Sequence, residues 1–500
     1  MSKVVSLKAN DGTDVQFVDE IIGAGAMKDV YFSPCRTYVV AFFRDKQDVN
    51  AMERLSNIVG PYRERILDQP GGEYWKKLFC WPTKLVEHEG KVGVVAPTYD
   101  KNFFFEHGSK NNDILKIKGK EKEGKWFASA NHQNKSLDIR ERGDWRSYVT
   151  TCLKISRAVR RMHAAGLAHS DLSYKNVLVD PTRGEACIID IDGLVVPGKF
   201  PPDVVGTPDF IAPEVMATMS LDKKDPKRAL PKRETDQHAL SVLIYMYLLY
   251  RHPLRGRKIH SPDPLIDEEL AMGKNALFVE HPSDTQNRPN PAHVSKSYLP
   301  WADIQKRPYK ITGPYLTELF DQAFIHGLHA PNKRPTADNW ERALVKTVDL
   351  LQPCSNTSCE QGWYVFDNTT SPLCPFCGTK FKGQLPVLNL YSSRSKGKFT
   401  PDNHRLMVYS DQYLYPWHVN RTVFPNERLT DDQKKPVGYF KLHQGRWVFV
   451  NQTLPEMKVL GSEGKVIAPN SMVELENDQK IQLSPEEGGR LIHVQMVQGS

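Results

Sequence analysis

The pattern of apolar and polar positions divides the 500-residue chain into regions of different character. Over residues 1–100, apolar runs such as DVQF, RTYVVAFFR and GKVGVVAPTY predict strands, and DVNAMERLSNIVGPYRERIL has a helical period. Helical periodicity dominates residues 145–350, for example in WRSYVTTCLKISRAVRRMHAAG and TDQHALSVLIYMYLLYRHPL. From residue 404 onward, short β-like runs alternate with turns, which predicts a small all-β domain.

The composition changes abruptly between the helical region and the β-rich region. Near residue 353 it becomes rich in Cys, Asn, Ser and Thr, and residues 383–403 are rich in Ser, Lys and Gly. We therefore predict a large domain over 1–350, with lobes at about 1–97 and 98–350. A small cysteine-containing module over 351–382, a linker over 383–403 and a β-domain over 404–500 follow it.

Charge and composition exclude several classes of protein. The chain has no run of eighteen apolar residues and begins with a polar, strand-like segment, so we expect neither a spanning helix nor a membrane partner. Eight cysteines in so long a chain do not indicate a disulfide scaffold, and a cytoplasmic location is expected. The net charge of +8 is mild, so no nucleic-acid partner is predicted, and the basic stretches at 115–125 and 221–234 are interpreted as solvated loops.

Two carboxylates and an amide are the chemically informative residues of AHSDLSYKNVLVDPTRGEACIIDIDG (168–193). Asp171 and Asn176 follow a long predicted helix, and Asp190 comes after two short strands, NVLV and ACII. Such a set suits phosphoryl transfer, in which one Asp accepts the hydroxyl proton while the Asn and the second Asp hold Mg²⁺. Asp and Asn also favour ordinary turns. However, GTPDFIAPE (206–214), Asp236 before an apolar helix and RPT (334–336) follow in order.

Over residues of about 15–350 the chain resembles the eukaryotic-like protein kinases. HSDLSYKN is similar to their HRDxxxxN loop, DID (190–192) to their DFG, and APE (212–214) is intact, with Arg334 where their Arg pairs with the Glu of APE, here Glu214. The phrases LFCWP, HAAGLAHSDLSYKNVLV and AMGKNALFVEHP resemble bacterial kinases encoded beside tellurium-resistance and von Willebrand A-domain proteins.

This resemblance implies an α+β fold with two lobes, followed by a zinc ribbon and an all-β sandwich. It implies a serine/threonine kinase that uses ATP and Mg²⁺ or Mn²⁺ in a bacterial stress or tellurite-resistance-type signalling system. An A-domain protein as substrate and a metal-dependent phosphatase as antagonist are the implied partners.

The resemblance also assigns roles residue by residue. Asp171 orients or deprotonates the attacking hydroxyl, and Lys175 touches the γ-phosphate. The remaining expected roles are metal binding by Asn176 and Asp190, support of Asp171 by the hydroxyl of Thr207, and attachment of the catalytic-loop backbone to Asp236.

Two departures from the family pattern bear on regulation and metal binding. Ser170 replaces the Arg that normally receives an activation-loop phosphate, and LVVPGKFPPDVV (194–205) contains no Ser, Thr or Tyr. We therefore predict an enzyme that is not switched by activation-loop phosphorylation. Asp192 replaces the Gly of DFG, and it is interpreted either as a further Mg²⁺ ligand or as the cap of a turn.

The family's phosphate-gripping lysine is missing from the third strand. In VVAFFR, Ala41 fits the Ala of the VAIK pattern, which puts Phe43 at the lysine position, and Arg44 faces the opposite side of the strand. A cation is still needed, because charge builds up on the phosphates. Lys28 is the candidate, since Gly23, Gly25, Lys28 and Val30 fit G-x-G-x-x-K-x-V and resemble the with-no-lysine kinases. The alternative is a solvent-facing Lys28, with Arg44 or Lys46 in its place.

The other nucleotide contacts are expected around the same sheet. Glu64 has the spacing of the helix glutamate that pairs with the lysine, and Glu53 is the second choice. VVAPTY (94–99) is expected to form the hinge over adenine, with Val95 or Ala96 lining the pocket beside Ala41, although a buried strand explains these residues equally well.

Four cysteines have the spacing of a metal site. CSNTSC (354–359) and CPFC (374–377) together supply Cys354, Cys359, Cys374 and Cys377, which predict a closed, structural zinc site. CPFCGTKF resembles a zinc-ribbon knuckle. A redox C-x-x-C pair is the alternative, but the second pair of cysteines argues against it.

The β-rich region after residue 404 is similar to forkhead-associated domains, which bind phosphothreonine. Arg421 matches the phosphopeptide Arg of that family, but the Ser and His expected downstream are absent around KKPVGYFKL. Docking of a phosphopeptide and docking of an unmodified protein therefore both stay open. For the whole chain, the alternatives to a kinase are a pseudokinase scaffold that binds ATP and assembles partners, or nucleotidyl transfer by the same fold.

Overall fold

The computed structural model describes residues 3–24, 27–196, 199, 206–222, 225–367, 371–395, 397–461 and 464–499. The chain divides into two compact units. The first unit comprises residues 1–143, 147–309 and 318–341, and the second comprises residues 144–146, 310–317 and 342–500. Among the described helices, none combines the length and apolarity needed to cross a membrane.

The strands that precede residue 200 form three groups of antiparallel strands: a hairpin, a five-stranded sheet and a second hairpin. They are β1 (Val4–Lys8), β2 (Asp14–Val18), β3 (Ile21–Ala24), β4 (Lys28–Phe32), β5 (Tyr38–Phe43), β6 (Lys84–His88), β7 (Lys91–Pro97), β8 (Val177–Asp180) and β9 (Glu185–Ile188).

The helices are unevenly distributed along the chain. They are α1 (Val49–Asn57), α2 (Arg63–Leu67), α3 (Gly72–Lys76), α4 (Lys110–Asp113), α5 (Trp145–Ala164), α6 (Pro213–Met216), α7 (Arg233–Leu249), α8 (Pro264–Met272), α9 (Pro314–Asp321), α10 (Ala337–Asp349) and α11 (Pro416–Val419).

The five-stranded sheet has the order β3-β4-β5-β7-β6 and packs on both faces. Because side chains alternate along a strand, neighbouring residues contribute to different apolar clusters. One face, with Val40, Phe42 and Val95, packs against the β1–β2 hairpin. The other face, with Ala41 and Phe43, packs against α1. This second face carries Lys28, which is directly opposite Phe43.

The helix predicted over 48–67 is interrupted. It forms α1 and α2, separated by a wide turn over Ile58–Tyr62. Gly60 leaves helical geometry, with φ −102° and ψ −106°, and Pro61 lacks the N–H that a regular helix needs. The periodicity therefore correctly predicted a helical segment, and the Gly60–Pro61 pair determines where the helix is interrupted.

The long helices of the first unit match their predicted positions. α5 lies within the segment that begins at Trp145, and α7 is buried along almost its whole length, which explains its nearly uninterrupted apolar sequence. The two short strands predicted on either side of residues 181–184 form the β8–β9 hairpin. This hairpin lies between the two segments that carry Asp171 and Asp190.

The second unit contains β-strands from Leu351 onward. They are β10 (Leu351–Pro353), β11 (Trp363–Val365), β12 (Gly383–Ser395), β13 (Lys398–Met407), β14 (Tyr413–Leu414), β15 (Gly438–His443), β16 (Arg446–Asn451), β17 (Lys458–Leu460), β18 (Met472–Glu474), β19 (Lys480–Gln482) and β20 (Arg490–Gly499).

Most of these strands form two antiparallel sheets with a common apolar core. One sheet has the order β13-β12-β20-β19-β17 and the other β14-β15-β16-β18. Leu388 and Ile492 from the first sheet join Phe440 and Phe449 from the second in one buried cluster. This arrangement agrees with the predicted β-sandwich, including the predicted hairpin now seen as β15 and β16.

The prediction of a linker over 383–403 was wrong. These residues form β12 and most of β13, and β12 pairs with β20 from Gly383↔Gly499 to Ser392↔Arg490. The apolar run in LPVLNL supplies buried residues of the core, whereas Ser392, Ser393, Ser395 and Lys398 belong to the ends of the two strands. Composition averaged over the segment concealed the strand pattern.

A core substitution in β12 tests this correction. We expect Leu388→Ala to lower the free energy of unfolding by about 2–5 kcal/mol, because Leu388 is fully buried between the two sheets. Chemical denaturation of the full chain, followed by hydrogen exchange of the 383–395 peptide, measures the effect. Arg394→Ala, at an exposed position of the same strand, is the matched control and should change stability by about 0.5 kcal/mol or less. Equal effects would mean that β12 does not pack in the core.

Candidate active site

Asp171 and Asn176 lie together in the loop between α5 and β8. The Nδ2 of Asn176 donates to the backbone oxygen of Asp171 at 2.9 Å and to its Oδ2 at 3.0 Å. The amide nitrogen of Asn176 therefore fixes the orientation of the Asp171 carboxylate. The amide oxygen of Asn176 takes no part in these two hydrogen bonds. Lys175 lies beside Asn176 in the same loop, with an exposed side chain.

Thr207 holds the other oxygen of Asp171 through the main chain. Its backbone N–H donates to Asp171 Oδ1 at 2.7 Å. The expectation that the Thr207 hydroxyl would do this was wrong, because that hydroxyl lies 3.3 Å from the Oγ of Ser173. Ser173, two residues after Asp171, is completely buried.

A buried carboxylate fixes the backbone of the catalytic loop, as predicted. Asp236, at the start of α7, accepts a hydrogen bond from the backbone N–H of His169 at 2.7 Å, and its Oδ2 lies 3.0 Å from Nε2 of His163. The loop is thus attached to the most buried helix of the unit. His163 is a supporting residue that the sequence reasoning did not find.

The predicted pair of Arg334 and Glu214 is present as a two-pronged contact, with Nη1 and Nη2 at 2.8 and 2.7 Å from the two carboxylate oxygens. The same guanidinium also donates to the backbone oxygens of Gly327, Glu234 and Leu328. Because Arg334 is buried, these acceptors compensate for the loss of its hydration.

The turn after β9 brings two carboxylates towards the sheet. Asp190 has φ 59° and ψ 40°, a left-handed conformation that is unusual for a residue other than glycine. A short helical turn over Ile191–Gly193 follows and contains Asp192. Ser170, beside Asp171, also has a positive φ of 64°. Strained backbone of this kind often occurs at functional sites.

Lys28 reaches both carboxylates of this turn. Its Nζ lies 2.9 Å from Asp190 Oδ1 and 2.6 Å from Asp192 Oδ2. In the sheet Lys28 is directly opposite Phe43, so the two side chains share one face, and Nζ lies 5.4 Å from the centre of the Phe43 ring. The amine of the second strand thus lies on the face, and beside the residue, where the third-strand lysine was expected.

These three groups form a charged cluster. Burial by itself would lower the pKa of the Lys28 amine, but the carboxylates of Asp192 and Asp190 outweigh this effect and raise that pKa above its usual value. The partial burial of the Asp190 carboxyl would likewise raise its pKa, and the Lys28 ammonium outweighs this effect and lowers it. Both partners of the Lys28–Asp190 pair are therefore ionised at neutral pH.

The alternative cations lie elsewhere. Nη2 of Arg44 is 2.7 Å from Asp29 Oδ1, and this pair belongs to the opposite face of the sheet, as strand alternation requires. Lys46 is exposed. Among the residues that the structure describes, Lys28 is therefore the cation that contacts the Asp190 turn.

Two nucleotide-contact predictions were wrong. Glu64 is exposed on α2 and does not reach Lys28, and Glu53 is exposed on α1 and pairs with Lys199 at 2.9 Å. Val95 lies on the face of the sheet that packs against the β1–β2 hairpin, because it is opposite Val40 rather than Ala41.

The other predicted nucleotide contacts agree with the expected face or cannot be placed. Ala96, Val30 and Ala41 belong to the same face as Lys28, by register and alternation. Gly23 lies in β3 opposite Val30. Gly25 is outside the described residues.

The donor set suits a hard cation such as Mg²⁺. Asn176 supplies an amide oxygen and Asp190 a carboxylate, which are ligands that Mg²⁺ prefers. The Asp190 side chain is 46% exposed even with Lys28 bound, so space remains for an ion that keeps several waters. The Asp192 side chain is only 8% exposed and offers much less room.

The four predicted zinc ligands converge in the second unit. The sulfurs of Cys354, Cys359, Cys374 and Cys377 all lie within 4.8 Å of one another. Two of the distances are 3.5 Å, for Cys354–Cys377, and 3.9 Å, for Cys359–Cys374. A tetrahedral zinc ion with Zn–S bonds of about 2.3 Å separates its ligand sulfurs by about 3.8 Å. The cluster therefore fits such an ion.

The knuckle around Cys377 favours a thiolate. Burial opposes ionisation, but hydrogen bonds with the hydroxyl and backbone N–H of Thr379, together with those of Cys354 and Cys374, lower the pKa of Cys377 to about 6. Gly378 between them has φ 76°, which favours glycine and turns the chain back so that Thr379 approaches the sulfur.

With this geometry established, the class of the first unit follows from comparison with known families. Residues 125–339 match the family model of the protein kinase domain. This range includes Asp171, Asn176, Asp190, Glu214 and Asp236, whose contacts are described above. The chain therefore contains a protein kinase domain with the mixed helix and sheet structure predicted for it.

Among individual proteins, the serine/threonine-protein kinase PknD of Chlamydia abortus is 28% identical over 160 residues, which are 26% of this chain and 16% of that protein. The death-associated protein kinase dapk-1 of Caenorhabditis elegans is 35% identical over 107 residues, or 21% of this chain and 7% of that protein. The chain thus spans about a sixth of PknD and less of dapk-1. A crystal structure of a Toxoplasma gondii rhoptry antigen kinase domain covers 69% of this chain and 86% of its own, with 14% identity and a TM-score of 0.40.

Zinc analysis tests the cysteine cluster. We expect the full chain to bind about one zinc ion and Cys374→Ser to reduce this content strongly, because a four-thiolate site loses one of its ligands. Elemental analysis after exhaustive dialysis measures the stoichiometry. Cys35→Ser removes an exposed cysteine from outside the cluster and should leave the zinc content unchanged. A wild-type chain free of zinc after growth in zinc-containing medium would contradict the assignment.

Proposed function

We propose that this chain is an ATP-dependent serine/threonine protein kinase with Lys28 as its phosphate-binding lysine. The observation that carries the proposal is the convergence of Lys28 with the Asp190 turn, in a chain whose catalytic loop holds Asp171 in a fixed direction. The matches to the protein kinase domain and to named serine/threonine kinases support the same activity.

The contacts of Asp171 suggest how a hydroxyl substrate is engaged. Thr207 and Asn176 hold the two carboxylate oxygens, so the group has a fixed orientation towards an incoming Ser or Thr hydroxyl. As the oxygen of that hydroxyl bonds to the γ-phosphorus of ATP, Asp171 takes its proton and ADP leaves. Lys175, exposed in the same loop, is the proposed contact for the γ-phosphate.

Asn176 and Asp190 are the proposed ligands of Mg²⁺, which would neutralise phosphate charge when bound. Lys28 adds a fixed positive charge on the same side of the site, where charge develops during transfer. Because two carboxylates hold the Lys28 amine, the phosphates of a nucleotide would compete with them for it.

The proposal includes independence from activation-loop phosphorylation. Ser170 supplies no guanidinium to bind a phosphate, and residues 194–205 supply no hydroxyl to receive one. Thr207, the first hydroxyl residue after this segment, is buried, and its N–H is already committed to Asp171.

The remaining parts of the proposal concern context and recruitment. Resemblance to kinases of tellurite-resistance-type systems favours an A-domain protein as substrate and a phosphatase as antagonist. We propose that the cysteine cluster binds structural zinc and that the β-sandwich docks a protein. Arg421 is exposed on the sandwich, with Nη1 3.5 Å from Ser392 Oγ, which is compatible with binding of a phosphopeptide.

Isotope labelling tests the activity. We expect label from [γ-³²P]ATP on Ser or Thr of a protein substrate. Asp171→Asn should lower the rate by about 10²–10⁴-fold because proton acceptance is lost. Lys28→Ala should lower it by about 10²–10³-fold because a charge on the phosphates is lost.

Arg44→Ala is the matched control for Lys28→Ala, since Arg44 is bound to Asp29 on the other face of the sheet, and it should change the rate less than about twofold. Full activity of Lys28→Ala together with loss in Arg44→Ala would reverse the assignment of the cation. Transfer from [α-³²P]ATP instead would identify a nucleotidyl transferase, and nucleotide binding without any transfer would identify a scaffold.

A further inference from the structure

The helix beside the sheet offers Lys28 no carboxylate among the residues that the structure describes. The residues of α1 that face inward include Ala51 and Leu55, and the Leu55 side chain is fully buried. The acidic residue of α1, Glu53, faces outward and pairs with Lys199. In protein kinases generally, an ion pair between the third-strand lysine and a helix glutamate must form for activity. This chain has neither member of that pair at the expected place.

An apolar contact occupies the place of that ion pair. Phe43, at the position of the missing lysine, is in one buried cluster with Leu55 and Val59 from the helical segment. Ala41 and Val94 complete the contact from the sheet. The sheet and the helix are therefore joined by burial of apolar surface, which does not depend on a charged partner.

Asp192 makes the closest contact with the displaced lysine. Its Oδ2 is 2.6 Å from Nζ, and its side chain is 8% exposed. Asp190 is 2.9 Å from the same amine but 46% exposed. A strongly hydrated ion such as Mg²⁺ is accommodated at the open carboxylate more readily than at the enclosed one. The two carboxylates thus differ in what they can bind besides the lysine.

We propose that Asp192 is the positioning residue of Lys28. It does for the lysine what the helix glutamate does in other protein kinases, so α1 does not gate the site through an ion pair. Asp190 remains available to metal. This inference rests on the proposed kinase activity for its catalytic meaning, whereas the pairing itself does not depend on that activity.

A double-mutant cycle without nucleotide or metal tests the pairing. The melting temperature of the full chain is measured for wild type, Lys28→Ala, Asp192→Asn and the double variant. We expect Asp192→Asn to lower the melting temperature when Lys28 is present. The same change should raise it, or leave it unchanged, when Lys28 is Ala, because the carboxylate then lacks its counter-charge.

Asp29→Asn is the matched control for the cycle, since Asp29 is next to Lys28 but binds Arg44 on the other face. It should act additively with Lys28→Ala. Additive behaviour of Asp192→Asn as well would overturn the proposal.

Kinetics then distinguish a lysine-positioning residue from a metal ligand. We expect Asp192→Asn to lower kcat/KM by about 10- to 100-fold, the usual effect of losing a group that orients a functional residue. The Mg²⁺ concentration for half-maximal rate should stay the same, and Asp192→Glu should restore part of the rate. Glu64→Gln and Glu53→Gln should change kcat/KM less than about twofold, because both side chains are exposed and away from Lys28.

Two kinetic results would overturn the proposal. A shift of the Mg²⁺ dependence in Asp192→Asn would identify Asp192 as a metal ligand. A large loss of kcat/KM in Glu64→Gln or Glu53→Gln would show that a helix glutamate positions the lysine. Failure of the proposed kinase activity is distinguishable from failure of the Lys28–Asp192 pairing. A wild-type chain that transfers no phosphate but shows a coupled cycle refutes the kinase and retains the pairing. Active wild type with an additive cycle refutes only the pairing.

Discussion

The contact of one lysine with two carboxylates is the interaction on which the candidate site depends. Lys28 joins β4 to the turn after β9, segments separated by about 160 residues of sequence. Two neighbouring carboxylates repel each other in a partly buried setting, so the turn at Asp190 and Asp192 requires a cation close by. In the proposed kinase the same cation also supplies the positive charge that phosphoryl transfer requires. Under the proposed function, one side chain thus both stabilises this turn and takes part in the chemistry.

The catalytic loop is organised separately from this ion cluster. Asp171 takes its direction from Asn176 and Thr207, and the loop backbone is attached through His169 to Asp236 on a helix that is largely buried. A proton acceptor needs a fixed orientation, and a hydrophobic helix provides a rigid base for it. Asp171, the proposed proton acceptor, is therefore attached to the helical part of the unit, whereas Lys28 belongs to the sheet.

Much of this arrangement could be predicted from the sequence, because linear motifs place polar residues at fixed distances from predictable strands and helices. The order HSDLSYKN, DID, APE and RPT located Asp171, Asn176, Asp190 and Glu214, and the absence of a lysine at Phe43 directed attention to Lys28. Strand alternation correctly separated Arg44 from the site.

The features that could not be predicted are the face of an element on which a side chain lies and the partner that it contacts. Glu64 was misplaced because the Gly60–Pro61 break follows α1 and alters the relation of later residues to the sheet. Val95 was misplaced by one residue of register, which is enough to reverse a side chain in a strand. The role proposed for Asp192 could have been inferred from the sequence. Phe43 and Asp192 both depart from the family pattern, and the two departures are related, because Asp192 pairs with the lysine that replaces the one missing at Phe43.

The pairing of β12 with β20 has a consequence for how the β-sandwich is made. β12 is an interior strand of its sheet, yet one of its two neighbours begins about a hundred residues later in the chain. During synthesis on the ribosome, β12 emerges long before β20 has been made. Its apolar run therefore remains without this strand partner until β20 is synthesised. Such long-range pairing makes folding slow and leaves an open strand edge in the meantime. The sandwich is therefore the part of this protein whose biogenesis we expect to rely most on protection by chaperones.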